Sequence, residues 1–418
     1  MPHPTPPPTD KATTPHGTLG GPFVLRLGIA NLGLFAALMT PVILTMTLRV
    51  EQVTPHDRER TLGLVLGVGA VVALLANPLA GRLSDRSRSR HGRRRPYLVG
   101  GALLGGLGLL VVTLAPNTPT LLAGWCLAQV GYNCAFAALL ATIPDQVPRD
   151  DRGKASAAVG VSMTLGVTLA VLFAGAVPVP VGLLAPALLA LATLGLFAHR
   201  LPDQVPDDDP GPFSARAFLG GLAFHPRRHP DFGWAWLTKF LVLLGGTAPL
   251  TYIALYVPHQ LDTTASEAAG TVSLLLAASA LVNASSAALG GWISDRLRRR
   301  KPLVIAGGLT IATGLATLIG ADALPGLILA QLVLGIGAGL FGAVDTAMIT
   351  EVLPDPDNPA KDLGVVNIAN ALPQSVMPLM APVLLSVGTH PNYALLFGTS
   401  AACALLGSVL VTRIRTAR

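Results

Sequence analysis

Apolar runs of about 20 residues recur along the whole chain, and this repetition limits the available folds more than any other feature. Each run is long enough for an α-helix to cross the ~30 Å hydrocarbon core of a bilayer. The chain is 51% hydrophobic and only 12% charged, whereas soluble domains carry roughly 25% charged residues. The sequence therefore predicts an all-α integral membrane protein, which we expect in the cytoplasmic membrane, in contact with membrane lipids.

The hydropathy pattern predicts twelve membrane-spanning helices in two groups of six. Their approximate ranges are 23–48, 61–84, 96–115, 119–143, 154–177, 181–199, 232–258, 267–293, 302–321, 324–350, 362–387 and 391–411. The predicted domains are a disordered cytoplasmic N-terminus (1–21), an N-terminal six-helix bundle (22–200), a cytoplasmic linker (201–231), a C-terminal six-helix bundle (232–411) and a cytoplasmic tail (412–418). Within the linker we expect a surface helix near Phe218.

Two short basic loops set the expected orientation. Residues 76–101 read ANPLAGRLSDRSRSRHGRRRPYLVGG and contain seven arginines between two membrane-length segments. Cationic short loops are retained on the cytoplasmic side, whereas the predicted outer loops hold only Arg49, Arg58 and Arg60. We therefore expect both termini to be cytoplasmic.

The second basic loop, residues 290–302 (GGWISDRLRRRKP), repeats the first some 210 positions later. Gly81, Ser84, Asp85 and Arg86 match, in order, Gly291, Ser294, Asp295 and Arg296. Parallel repeats of six helices place a solute site near the bilayer midplane, where the halves meet. Pro41 and Pro249 occupy matching positions of the two halves, so we expect gating bends there.

The pattern G-x-x-x-D-R followed by a basic run, once in each half, resembles the cytoplasmic signature loop of the major facilitator superfamily. The fuller motif N-P-L-x-G-x-x-S-D-R-x-x-S-R-x-G-R-R-R-P-Y is similar to the glycoside–pentoside–hexuronide:cation symporters and the related sucrose–proton transporters. The resemblance covers the chain from Phe23 onward. It implies two pseudo-symmetric six-helix bundles and secondary active transport of a small polar solute, a sugar or glycoside above all, by alternating access.

The same resemblance implies gating roles for the loop residues and the nearby helix ends. Asp85 would meet the N-terminus of the eleventh helix in the outward-facing state, and the loop arginines would pair with acids such as Asp145. The inserted DPDNPAKD after Glu351 argues against a symmetrical latch in the second half. Membrane topology alone explains the arginines, but not an aspartate at the same point of both copies. The implied gating residues are Gly81, Asp85, Arg86, Arg93, Arg94, Arg95, Asp145, Arg152, Gly291, Asp295, Arg296 and Glu351.

Charged residues inside the apolar spans are few, and they include Lys239 in the seventh predicted helix and Asp345 in the tenth. At 1.5 Å per residue both lie roughly 8–11 Å from the cytoplasmic boundary. Since an unpaired charge at this depth is costly, we expect them to pair across the cavity. The alternatives are snorkelling for Lys239 and a structural hydrogen bond for Asp345. Because residues 61–84 hold no acid, unlike the sodium-coupled members of the resembled family, we hypothesise proton coupling, with Asp345 titrating and Lys239 setting its pKa.

Amide side chains within the spans suggest how a polyhydroxylated solute is bound, because amides and hydroxyls both donate and accept hydrogen bonds. Gln129 and Asn133 lie one turn apart, on the same helix face. Amides also hold membrane helices together, which is the alternative role for each. The candidate solute-binding residues are Asn31, Gln129, Tyr132, Asn133, Lys239, Asn367, Asn370 and Gln374.

Two other functions compete with a proton-driven importer. A proton-driven exporter of a drug or secondary metabolite usually carries a Gly-Pro pair in its fifth helix, which here has no proline before Pro178. A membrane-embedded enzyme would need paired acids near the membrane surface to bind a metal, and the acidic run 207–209 lies in the Pro-rich linker. We expect no enzyme activity, no metal and no cofactor, with the proton as coupling ion. Despite a net charge of +7 we expect no nucleic-acid partner, and the protein is expected to be a monomer.

Overall fold

The computed structural model describes residues 21–148, 151–203, 228–354 and 360–415. The predicted disordered N-terminus, the surface helix near Phe218 and the acidic run 207–209 lie outside the described residues. Within these residues, twelve helices are long and apolar enough to cross a membrane. They are α1 (Gly21–Val53), α2 (Arg58–Asp85), α3 (Arg95–Leu114), α4 (Thr118–Gln146), α5 (Arg152–Ala174), α6 (Val179–His199), α7 (Pro230–Leu261), α8 (Ala265–Leu297), α9 (Lys301–Ile319), α10 (Leu324–Glu351), α11 (Ala360–Leu385) and α12 (Tyr393–Arg413). The predicted fold class is confirmed, and most boundaries agree to within three residues.

The two halves of the chain pack their helices in the same way. In the first half, α3 packs against α4 and α6, α1 packs against α5 and α6, and α2 packs against α4. Adding six to each helix number gives the pairs of the second half, in which α9 packs against α10 and α12, α7 against α11 and α12, and α8 against α10. The halves are therefore structural repeats, as the duplicated loop predicts.

Glycine allows the tightest of these helix pairs to form. A Cβ atom at Gly131 of α4 would press against the backbone of Gly101 of α3, and one at Gly337 of α10 would press against Gly307 of α9. Each residue of the second pair lies 206 positions after its counterpart in the first. Without a hydrophobic driving force between helices in lipid, such close backbone contact is what holds membrane helices together.

The contacts between the two halves lie far from the basic loops. We call the end with the α2–α3 loop (86–94) the basic end, and the end with the α1–α2 loop (54–57) the opposite end. Toward the opposite end α2 packs against α11, where Gly63 lies against Pro378 and Pro382. There α5 also packs against α8, and the Ser273 hydroxyl donates a hydrogen bond to the Val171 carbonyl at 3.0 Å. These contacts close the opposite end.

The two predicted bends differ in local geometry. Pro41 begins a π-helical turn, Pro41–Thr45, within α1. Proline removes one helical hydrogen bond, and a local π turn is one way in which a membrane helix satisfies the backbone groups that proline frees. Pro249 instead lies within the uninterrupted α-helix α7. A local change of helix type therefore accompanies the proline of the first half but not its counterpart.

Candidate functional site

A cavity of about 220 Å³ lies between the two halves, and we call it the amide cavity. Its walls come from α1, α2 and α4 of the first half and from α7 and α11 of the second. Asn133 lies 13 residues before the end of α4 at Gln146, which is about 20 Å along the helix axis. The cavity is therefore deep in the membrane-spanning region. The amide side chains that line it are Asn77, Gln129, Asn133, Asn367, Asn370 and Gln374.

The amides of the first half are held in place by one another. The Asn133 Nδ2 donates to Gln129 Oε1 at 2.9 Å, and the Asn77 Nδ2 lies 3.5 Å from Asn133 Oδ1. Gln129 is only 4% exposed and Asn133 only 7% exposed. Side chains that are already ordered lose little conformational entropy when a ligand binds. Asn77 belongs to the N-P-L motif, but its position on the cavity face was not predicted from the sequence.

The described residues that line the amide cavity carry no charge. Phe35 and Phe136 lie edge to face on its wall, with ring centroids 5.1 Å apart and planes at 88°. Thr247 and Thr251 of α7 add two hydroxyl groups. Because burying a charge without a partner is costly, such a cavity suits an uncharged solute that has both polar groups and an apolar face.

Three of the predicted solute-binding residues, Asn31, Tyr132 and Lys239, do not line the amide cavity. Asn31 is fully buried, and its Nδ2 donates to the Val159 carbonyl at 3.0 Å and lies 3.1 Å from the Ser162 hydroxyl, both in α5. Tyr132 is fully buried against Gly105 of α3. Both side chains hold helices of the first half together and do not line the amide cavity. Hydropathy finds polar residues in a span but does not tell which of them face the other half.

Lys239 and Asp345 form an ion pair, as expected, but inside the second half. The Lys239 Nζ lies 2.5 Å from Asp345 Oδ2, and the two side chains are 6% and 1% exposed. Neither residue lines the amide cavity, so they pair between α7 and α10 and not across the cavity. This corrects the expectation that Lys239 contacts the solute. Within the part of the chain that the structure describes, the second carboxylate oxygen of Asp345, Oδ1, has no hydrogen-bond partner.

The basic loop of the first half is organised around Arg94, whose side chain is only 4% exposed. Its guanidinium group donates to Asp145 Oδ2 at 2.9 Å and to the Ser84 hydroxyl at 2.6 Å, and lies 2.6 Å from Asp85 Oδ1. Arg93 also reaches Asp145, at 2.7 Å. Arg94 therefore ties the end of α2 to the end of α4. In this structure Asp85 contacts its own half, whereas the resemblance places it at α11 in the alternative state.

The second half repeats this pairing. Arg300 lies 3.1 Å from Glu351 and also donates to the Ala347 carbonyl. Arg300 lies 206 positions after Arg94, its counterpart in the first half. Glu351 likewise lies 206 positions after Asp145. An arginine–acid pair is therefore present at the basic end of each half. The expected departure from a symmetrical latch after Glu351 stays a prediction, because residues 355–359 of the insertion lie outside the described residues.

The other predicted gating residues of the two loops do not all make the contacts expected of them. Asp295 is exposed, and the Arg296 guanidinium lies over the Trp292 ring, 5.4 Å from its centroid. Gly81 and Gly291 were expected to allow close helix contact. A Cβ at Gly81 would only touch Ala137, at 4.0 Å, and one at Gly291 would meet nothing within 4 Å, so close approach is not what either glycine provides here.

Arginine side chains at the basic end also bind helix carbonyl groups. Arg152 donates to the carbonyls of Val147 and Pro144, at 3.2 Å and 3.1 Å, at the end of α4. Arg95 donates to the Leu201 carbonyl at 2.5 Å, and Arg86 is half-buried at the end of α2. Cations stabilise the carbonyl ends of helices. For Arg95 this carbonyl contact stands in place of the expected pairing with an acid.

Asp203, which lies in the predicted linker (201–231), is part of this cluster. Its Oδ2 accepts hydrogen bonds from the backbone N–H groups of Arg94 and Arg95, at 2.6 Å and 2.9 Å. These N–H groups lie at the start of α3, where a carboxylate is favoured by the helix dipole. Gly92 precedes them with φ +102°, and a Cβ there would collide with Asp203. Because the contact spans 109 positions of sequence, no local pattern could have revealed it.

Comparison with known families identifies the class of protein. The model of the Major Facilitator Superfamily matches residues 27–319 and 235–418. The chain belongs to this superfamily, whose members are membrane transporters that move small solutes by alternating access. The twelve helices and the cavity between two repeated halves are the features on which that mechanism depends.

Solved structures and one relative extend the comparison. The fold is similar to that of the nucleoside transporter NupG (D323A mutant), with a TM-score of 0.77, 14% identity and coverage of 94% of this chain and 99% of that one. It is also similar to a D-xylose-proton symporter, with a TM-score of 0.71, 17% identity and coverage of 94% and 98%. Over 78 residues the chain is 35% identical to a general alpha-glucoside permease of Schizosaccharomyces pombe, which is 19% of this chain and 12% of that permease. The matched stretch is thus about an eighth of the permease.

Proposed function

We propose that this transporter carries an uncharged, polyhydroxylated solute, a sugar or a glycoside with one sugar ring in the amide cavity, into the cell, coupled to protons. The observation that carries the proposal is the amide cavity, in which six amide side chains and no charged side chain of the described residues surround about 220 Å³. Pockets for drug-sized ligands are larger, roughly 300–1,000 Å³. The likeness to a D-xylose-proton symporter and the short match to an alpha-glucoside permease support a sugar.

The chemistry of the cavity fits a sugar ring. Each sugar hydroxyl both donates and accepts, and so does each amide, so one amide is able to satisfy either role. The paired rings of Phe35 and Phe136 supply an apolar surface for the C–H groups of the ring. An acid in the wall would offset the cost of burying a lipophilic cation. None of the described residues that line the amide cavity is acidic, so the cavity favours a sugar over a cationic drug.

Proton coupling through Asp345 and Lys239 is part of this proposal, and it acts indirectly. None of the described residues of the amide cavity titrates near neutral pH, so the proton and the solute would be coupled through helix positions. Lys239 shares α7 with three residues that line the amide cavity, Thr247, Leu250 and Thr251. Trp236 lies three residues before Lys239, and its Nε1 donates a hydrogen bond to the Val365 carbonyl at 2.9 Å. This bond joins α7 to α11, which carries three of the amide side chains that line the cavity. Protonation of Asp345 would release Lys239 and shift the packing of α7.

We further propose that the protein belongs to the glycoside–pentoside–hexuronide:cation symporter branch and acts as a monomer in the cytoplasmic membrane, without a cofactor. The long motif of the first basic loop supports the branch, and the concentration of arginine at the basic end supports a cytoplasmic position for that end. With this orientation the closed opposite end faces outward. The structure then corresponds to an inward-facing arrangement.

Replacing single amides should weaken sugar binding without unfolding the protein. We expect Gln129→Met and Asn370→Leu each to raise the Kd about two- to tenfold, because a net hydrogen bond is worth about 0.5–1.5 kcal/mol. Isothermal titration of purified protein with D-glucose, D-galactose and D-xylose measures this. Asn31→Leu is the matched control, since it removes a membrane amide outside the cavity and should change Tm but leave Kd unchanged. Equal Kd values in all three variants would contradict the proposal, as would a wild-type protein that binds no sugar.

A further inference from the structure

A second cavity of about 380 Å³ adjoins the amide cavity, and we call it the apolar cavity. Met39 of α1 and Leu250 of α7 line both, so these two side chains form the partition between them. The other walls of the apolar cavity come mainly from α5, α8 and α10. A solute in the amide cavity would therefore have a neighbouring space available on the far side of Met39 and Leu250.

The apolar cavity differs from the amide cavity in its chemistry. Most of its lining is aliphatic, and none of its described lining residues is charged. Its polar lining residues are Thr164, Thr168, Ser279, Asn283 and Gln331. Gln331 is only 4% exposed, and no atom of the described residues forms a hydrogen bond with its Nε2. Buried donors are nearly always paired in folded proteins, so the Gln331 amide is a donor that a ligand in this cavity is able to engage.

The chemical difference between the two cavities arises at positions where the sequences of the two repeats differ. Positions 335 and 339, which lie 206 after Gln129 and Asn133, are both glycine. A Cβ at Gly335 would meet the Ser279 carbonyl, and one at Gly339 would meet the Asn283 carbonyl, because the backbone of α8 fills the space. The amides of α4 therefore have no equivalents on α10. Gln331 instead stands at the position of Trp125, so each side of the central space has its own chemistry.

We propose that the apolar cavity is a second subsite for the same solute. It accepts an uncharged, mainly apolar substituent attached to the hydroxylated ring, and Gln331 donates a hydrogen bond to an acceptor atom on that substituent. The solute class is then a glycoside with an uncharged apolar aglycone, and Gln331 determines the preference for it over the free sugar. This inference rests on the proposed function, because the ring is placed in the amide cavity.

Binding of matched glycosides to wild type and to Gln331→Met tests the subsite. The probes are the methyl and 4-nitrophenyl β-glycosides of D-glucose, D-galactose and D-xylose, titrated into the purified full-length protein. We expect the nitrophenyl compound of the preferred sugar to bind wild type more tightly than the methyl compound. Gln331→Met should raise its Kd about three- to tenfold, the loss of one hydrogen bond, and leave the methyl Kd within about twofold. The ligand-free variant should also have a higher Tm, because an unpaired buried donor has been removed.

The control is Gln129→Met. This variant should raise the Kd of the methyl and the nitrophenyl glycoside of the preferred sugar by the same factor. An equal effect of Gln331→Met on the two compounds overturns the second subsite, and so does a methyl glycoside that binds while its nitrophenyl partner is excluded. In both cases the proposed sugar transport stands. If no glycoside of either kind binds the wild-type protein, the proposed function fails and the subsite fails with it.

Discussion

Replacing Lys239 by methionine is expected to destabilise the protein severely, because the change leaves Asp345 as an unpaired charge inside the membrane-spanning region. The two side chains are 6% and 1% exposed and lie 2.5 Å apart. Breaking a buried ion pair by removing one partner costs about 3–5 kcal/mol, a large part of the 5–15 kcal/mol that typically stabilises a folded domain. The measurements are Tm and the monodisperse fraction of purified protein in detergent. A Tm equal to that of wild type would show that the pair does not hold α7 against α10.

The double variant Lys239→Met/Asp345→Leu separates the structural role of this pair from its proposed role in coupling. Replacing both partners by apolar residues is often neutral or stabilising, so we expect the folded yield to recover. Because the titrating group is then absent, the double variant should still bind solute and equilibrate it across the membrane but should not accumulate it against a gradient. Accumulation at the wild-type level in this variant, or in Asp345→Asn, would contradict proton coupling through Asp345.

Gly63→Leu should hold the opposite end open and stop transport. A Cβ at Gly63 would collide with the Pro378 carbonyl and Pro382 of α11, and with the Tyr252 hydroxyl of α7. Overpacking of this kind costs about 1–3 kcal/mol, which changes the ratio of two conformations by about 5- to 150-fold. Since the cost falls on the state in which this end is closed, the transporter should remain in the other state. Uptake by proteoliposomes measures the loss of transport.

A cysteine reporter checks that the lost transport reflects a trapped conformation. Thr251→Cys lies in the wall of the amide cavity, and the native cysteines Cys126, Cys134 and Cys403 are replaced by serine. With Gly63→Leu the reporter should react with an impermeant thiol reagent added at the opposite end, and it should react less from the basic end. Gly106→Leu is the matched control, because a Cβ there meets nothing within 4 Å. Unchanged labelling in the Gly63 variant would contradict the closure at this end.

The fold could be predicted from the sequence because the bilayer constrains it so strongly. A run such as 96–115 must become a helix, since lipid cannot hydrogen-bond its backbone, and α3 indeed spans Arg95–Leu114. The two halves followed from the duplicated loop. The errors at helix ends, such as α1 continuing to Val53, occur where the apolar run gives way to polar residues and capping interactions set the boundary.

The site could be predicted only in part, because the face that a membrane residue presents to the cavity depends on tertiary packing. Gln129 and Asn133 do line the cavity, whereas Tyr132, between them in sequence, turns toward α3. Asn77 and Gln331 were missed, although each is an amide within an apolar span. A polar residue in such a span signals either helix packing or solute contact, and only the position of the second half distinguishes the two.

Titration of the wild-type protein with neutral and charged forms of one sugar tests the central claim, an uncharged solute held by amides, most directly. The ligands for isothermal titration are D-glucose, D-glucosamine and D-glucuronate, with the galactose series in parallel. Because neither a cation nor an anion finds an opposite charge among the described residues of the amide cavity, we predict that the neutral sugar binds at least about tenfold more tightly than either charged form. A charged form that binds as tightly as the neutral sugar, or more tightly, would contradict the claim.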